Sequence, residues 1–280
     1  MLAGAGYFLL SRRATQIGID IFAILACSMG ATAAVSALLA VNSGLPLLGL
    51  SVADPKMLFV LIIAIACCYG GNIYELRGVA VAPNPGYVLA INKSFAAVTL
   101  VAAWWLFGSQ MEAQKILGVA LIVIFQIVAR APWQAQNISA ENDGSWARYS
   151  VLSLIGLAGL SLAGKYLMLA GMDRLVFLVF LAGPVFILFA ANWRYQGKKV
   201  PRTREALALL AGVGLMSAMV NLSLYSAIAI APNLGYVNAI NAAQIGIVTI
   251  LSARLLGDEL TLSKVAGIVG VTVGLLFIAI

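Results

Sequence analysis

Apolar positions run through this chain in long unbroken stretches rather than in an alternating or one-faced pattern. A helix needs about 20 apolar residues to span the hydrocarbon core of a bilayer. Ten such segments are legible, at approximately 2–19, 20–41, 57–82, 86–108, 113–130, 147–171, 174–196, 204–230, 235–256 and 262–280. They are apolar all round, as helices facing lipid and other helices must be. A membrane barrel would show shorter segments that alternate apolar and polar residues. Connections are short except at 42–56, 131–146 and around 197–203, which leaves no room for a soluble domain. The expectation is an all-α integral membrane protein of ten transmembrane helices, lying in the cell membrane as a multi-pass protein.

The polar positions repeat. APNPGYVLAIN at 82–92 returns as APNLGYVNAIN at 231–241, differing only at Pro85/Leu234 and Leu89/Asn238. The offset of 149 residues that takes Pro83 to Pro232 also takes Asn72 to Asn221, Gly108 to Gly257, Lys115 to Lys264 and Gly118 to Gly267. With a small gap, SRRATQIGID (11–20) lies against GKYLMLAGMD (164–173), which sets Arg12 opposite Lys165. Two repeats follow, helices 1–5 in residues 1–130 and helices 6–10 in residues 147–280. Five helices per repeat is an odd number, so the second repeat enters the membrane from the opposite side. Inverted repeats are a transporter architecture, with the solute site near the midplane where the halves meet. Helix 1 reads as short: Arg12 has eleven residues before it, against the 17 that separate Arg148 from Lys165, as if its start lay upstream.

Composition agrees with this pattern. The chain is 62% hydrophobic and 10% charged, with a mean hydropathy of +1.02, whereas a soluble domain carries about 25% charged residues. The net charge of +7 is not gathered into a stripe with interleaved aromatics, and much of it sits between Arg194 and Arg204. That argues against a nucleic-acid partner and for a bilayer. Cys27, Cys67 and Cys68 lie inside apolar runs and read as buried small side chains. Histidine is absent, and no Cys, Asp or Glu group has metal-ligand spacing, so neither a metal nor another cofactor is expected. Met1–Leu10 precedes Arg12 and Arg13, the reverse of a signal peptide. Gly270 and Gly274, and Ala26, Gly30 and Ala34, read as close-packing faces. Nothing in the chain fixes an oligomeric state; a monomer and a homodimer are both open.

Three features resemble the drug/metabolite transporter superfamily, in its ten-helix EamA-like branch. They are the 5+5 duplication, the Ala-Pro-Asn turn in each half, and the Gly-Asp-Glu-Leu-Thr run at 257–261 leading to Lys264 and Gly267. The resemblance implies secondary transport by alternating access of a small polar metabolite, amino-acid-, sugar- or nucleoside-like. The first-half copy departs from it, reading GSQMEAQK with its acid displaced to Glu112.

Polar side chains inside a bilayer are costly and tend to face partners or a cavity. Asn72 and Asn221, and Asn92 and Asn241, are symmetric amides able to donate and accept to a polar solute. Gln244 shares a helical face with Asn241. Asn84 and Asn233, beside the turn prolines, read instead as ties between helices, with Tyr87 and Tyr236 following. Lys93 and Glu75 break the symmetry, and at matching depth in helices 3 and 4 they form a candidate ion pair, with Glu75 the candidate for proton coupling. Lys165, and Arg12 by symmetry, suit a carboxylate-bearing solute. Arg77 is expected to snorkel to the interface, and Trp104 and Trp105 to sit in an aromatic belt. Basic residues favour the loops after odd-numbered helices, which places both termini outside, whereas the family pattern places them inside. With no His, no metal cluster, no paired carboxylates within a helix turn and no polar loop large enough for a catalytic platform, an enzyme acting on lipid-linked substrates is disfavoured. A scaffold or channel subunit is the other alternative.

Overall fold

The computed structural model describes residues 2–46, 54–81, 88, 91–130, 145–198, 200–201, 203–256 and 261–279. They fold into helices: α1 (Leu2–Gln16), α2 (Ile21–Asn42), α3 (Pro55–Val81), α4 (Phe95–Phe107), α5 (Ala113–Arg130), α6 (Ser145–Leu169), α7 (Arg174–Tyr195), α8 (Arg204–Ile230), α9 (Leu234–Leu256) and α10 (Leu262–Ala279). Among the described residues there is no strand. Most boundaries fall within a few residues of the hydrophobic runs. In the fourth run the continuous helix α4 starts at Phe95, and residues 91–93 before it are also helical, with a turn at Ser94 between them. By length and composition, α2, α3, α6, α7, α8 and α10 are able to cross a membrane. The described apolar stretches of α4, α5 and α9 are shorter, and α1 has 15 residues that include Arg12 and Arg13.

The chain forms two compact units, each drawing on both sequence halves. Unit 1 comprises Met1–Tyr69 and Ala163–Ile230, and unit 2 comprises Gly70–Leu162 and Ala231–Ile280. Helices α3 and α6 are therefore each divided between the units.

In unit 1, α2 packs along α7 and α8, and α1 along α8. Ala14, Ile19, Ala23, Ile24, Ala206 and Val213 make one buried cluster. Two helix endings in this unit have the same construction. At the end of α1, Ile17, Gly18 and Ile19 donate backbone N–H bonds to the carbonyls of Arg13, Thr15 and Ala14. After α6, Ala170, Gly171 and Met172 donate to Tyr166, Met168 and Leu167. Each ending turns on a glycine at positive φ, +85° at Gly18 and +96° at Gly171, the left-handed conformation that glycine tolerates best. Two residues on, Asp20 and Asp173 cap α2 and α7, accepting from Phe22 N at 2.9 Å and Leu175 N at 2.7 Å. Asp20 also pairs with Lys198 at 2.8 Å. Alanine at Asp173 is expected to cost about 1 kcal/mol, the usual value of an N-cap. Alanine at Asp20 should cost slightly more, because Lys198 loses its partner too. Thermal unfolding of the detergent-solubilised protein orders the two.

In unit 2, α10 lies along α5 and α4 along α9, with α9 also touching α5 and α10. Ala96, Leu100, Val119, Ile122, Tyr236, Ala239, Ala243, Val271 and Ile278 form its buried cluster. The Gly270/Gly274 face meets α5. A Cβ at Gly274 would fall 2.7 Å from the Gly118 carbonyl oxygen, one at Gly118 would fall 2.7 Å from the Gly274 oxygen, and Phe125 covers Gly270. The α2 face is closely packed only in part: Ala26 is buried and Gly30 meets the Phe186 ring, but Ala34 is exposed.

Candidate functional site

Of the residues picked out by the sequence, Asn221 and Lys165 belong to unit 1, and Asn72, Glu75, Asn92, Lys93, Asn241 and Gln244 to unit 2.

In unit 1 the helical repeat builds a hydroxyl ladder. Ser28, Thr32 and Ser36 stand four residues apart on α2, and Ser217 and Asn221 four apart on α8, so each set shares one face. Asn221 Nδ2 donates to Thr32 Oγ1 at 3.2 Å, to the Ser217 carbonyl at 3.0 Å and to Ser217 Oγ at 3.3 Å. Ser217 Oγ in turn meets Ser28 Oγ at 2.5 Å, and Thr32 Oγ1 donates to the Ser28 carbonyl at 2.9 Å. Ser28, Thr32 and Ser217 were not apparent as candidates, because single hydroxyls are common in apolar helices; their four-residue spacing was the available signal.

Lys165 is 6% exposed, and its ammonium donates to the carbonyls of Ile228 at 2.8 Å and Ala229 at 3.3 Å. These belong to the last turn of α8, where carbonyls lack intrahelical donors and the helix dipole favours a cation. Its repeat partner Arg12 is exposed on α1, so the two basic residues differ in environment.

Unit 2 holds the turn residues. The Asn233 amide oxygen accepts from Gly235 N at 2.9 Å, and its nitrogen donates to the Leu100 carbonyl at 3.4 Å and the Gln110 carbonyl at 3.3 Å. Asn233 therefore starts α9 and ties it to α4 and the α4–α5 connection. Tyr236 Oη accepts from Glu112 N at 3.1 Å and donates to the Gln110 carbonyl at 3.4 Å. Asn84, Tyr87 and the Gly257–Leu260 stretch lie outside the described residues.

Asn92 and Gln244 are buried, and Asn72, Asn241, Glu75 and Lys93 half-buried. Among the described ion pairs none joins Glu75 to Lys93. Lys93 stands in the helical residues 91–93, which a turn at Ser94 separates from α4. Arg77 is exposed, as are Trp104 and Trp105. Among the described residues no three His, Cys, Asp or Glu side chains are grouped so as to hold a metal. Gln126 on α5 was missed. It is 2% exposed, and neither of its amide atoms has a hydrogen-bond partner among the described residues. Its repeat counterpart is Leu275, so a search guided by the duplication passes over it.

No family model matches the chain, and no curated protein matches it. A solved structure described as "Crystal structure of protein" is similar over 99% of this chain and 96% of its own, with a TM-score of 0.79 at 14% identity, a likeness that shows the fold alone.

Proposed function

We propose that the chain is a secondary transporter of the EamA-like branch of the drug/metabolite transporters. On this reading ten transmembrane helices form two inverted five-helix repeats in the cell membrane and move a small polar metabolite by alternating access. The supporting observation is the duplicated helix ending. Arg13–Asp20 and Tyr166–Asp173 carry the same three backbone bonds, the same left-handed glycine and the same aspartate cap. Those positions also align in the sequence repeat, and an odd number of helices per repeat implies inversion. Solute contacts fall to Asn72, Asn92, Asn241 and Gln244 of unit 2. Lys165, already held by two carbonyls, serves chiefly to fix the end of α8. Glu75, half-buried on α3, is the group through which a proton gradient acts.

The test is uptake into liposomes by reconstituted protein, across amino acids, sugars and nucleosides, with and without an inward proton gradient. Saturable uptake of one class, accelerated by the gradient, is expected. Glu75→Gln should abolish the acceleration and leave solute exchange without a gradient intact. Absence of uptake for every class, in protein that remains monodisperse, refutes the reading.

A further inference from the structure

Unit 2 buries a set of amides that its own packing leaves unanswered. Asn92, Gln126 and Gln244 are 0%, 2% and 4% exposed. Both amide atoms of Asn92, both of Gln126 and the Oε1 of Gln244 lack a hydrogen-bond partner among the described residues. Asn238 Oδ1 lacks one too, although its nitrogen donates to Thr99 Oγ1 at 2.9 Å.

The direction of the helices brings the first three to one level. The start of α9 lies beside the α4–α5 connection, where Tyr236 meets Gln110 and Glu112. Further along α9, Asn238 reaches back to Thr99. Both α5 and α9 therefore run away from that connection, antiparallel to α4. Gly235 abuts Leu100, so at about 1.5 Å per residue Gln244 comes level with Asn92. Ala96, Ile122, Ala239 and Ala243 share one apolar cluster. Asn92 lies one turn beyond Ala96, Gln126 one turn beyond Ile122 and Gln244 one residue beyond Ala243, all in the same direction. The amides thus lie towards the same end of the cluster.

A buried amide without a partner costs about 1–3 kcal/mol, and hydrocarbon offers it none. We propose that Asn92, Gln126 and Gln244 form a solute-binding layer within unit 2, and that the solute is uncharged and rich in hydroxyl or amide groups, as nucleosides and sugars are. Amides donate and accept, so a polyhydroxylic solute answers both functions. The layer contains no charge. Lys93 follows Asn92 by one residue and so points about 100° away around the turn, and a carboxylate in the layer would be a buried charge without a counter-ion. Asn241, half-buried, stands one turn before Gln244 on the same face. The assignment rests on the transport reading, and adds to it Gln126 and the charge class of the solute.

The experiment uses cysteine accessibility in membranes, in full-length protein with Cys27, Cys67 and Cys68 replaced by alanine. A small neutral methanethiosulfonate should label Gln126→Cys and Gln244→Cys about tenfold faster than Val119→Cys in the apolar cluster, a difference in barrier of roughly 1.4 kcal/mol. Uridine or glucose should slow labelling several-fold, and glutamate should not. If one cysteine variant fails to fold, the other is read. Labelling no faster than at Val119→Cys, protection by glutamate alone, or protection by none of the three overturns the proposal. Protection by uridine or glucose in a protein that transports neither sinks the transport reading and leaves the binding layer standing.

Discussion

Alanine at Gly118 or Gly274 is expected to destabilise unit 2 by about 1–3 kcal/mol, the range for overpacking a close-packed interior. At each position the new Cβ falls 2.7 Å from the carbonyl oxygen of the other glycine. A flexible side chain is able to move aside, but here the obstacle is backbone on both helices, so α5 and α10 must separate along their contact. That contact also carries Ile122, Val271 and Ile278 of the buried cluster, and their packing is lost with it. Leucine at Gly274 should prevent accumulation of folded protein altogether. Gly183 on α7 is the control. Nothing lies within 4 Å of a Cβ built there, and exchanging a helical glycine for alanine contributes up to about 1 kcal/mol. Gly183→Ala should therefore unfold at or above the wild-type temperature. The comparison is made by thermal unfolding in detergent, followed by size-exclusion chromatography. An unchanged midpoint for both Gly118→Ala and Gly274→Ala contradicts the backbone contact.

The length of the apolar runs located the helices, because an unbroken apolar run has few other uses and because Gly18, Asp20, Gly171 and Asp173 mark where runs end. It did not show the turn at Ser94, which interrupts a helical stretch that hydrophobicity alone reads as continuous. It did not tell which residues face one another, for a physical reason. A helix apolar on every side has no polar face to show its orientation, so Ser28, Thr32 and Ser217 looked no different from other small residues. The duplication supplied Asn72, Asn92, Asn221 and Asn241 as candidates, but it also biased the choice. Gln126 has leucine as its counterpart, and the buried role of Lys165 has no equivalent at Arg12. The division into units was hidden as well, since α3 and α6 each pass from one to the other within an uninterrupted helix.

Lys165→Met is expected to lower the unfolding temperature and abolish solute uptake, and Lys165→Gln to restore much of both. The methionine fills a similar volume but donates no hydrogen bond, so the carbonyls of Ile228 and Ala229 lose the ammonium they share. A buried carbonyl left without a donor costs about 1–3 kcal/mol, which applies in full to Ile228 and in part to the half-buried Ala229. Those carbonyls end α8 immediately before Ala231, Pro232 and Asn233, which set the start of α9. Uptake should fail because this helix end is no longer fixed, whichever solute is offered. Glutamine keeps an N–H donor without the charge, which makes it the informative variant. If Lys165 holds the helix end, Lys165→Gln recovers stability and carries neutral and anionic solutes in the wild-type ratio. If Lys165 instead binds a solute carboxylate, Lys165→Gln is stable yet loses anionic solutes selectively, by about tenfold for each 1.4 kcal/mol of lost interaction. Two carbonyl partners within 3.3 Å favour the first outcome, and the ratio of neutral to anionic uptake decides it.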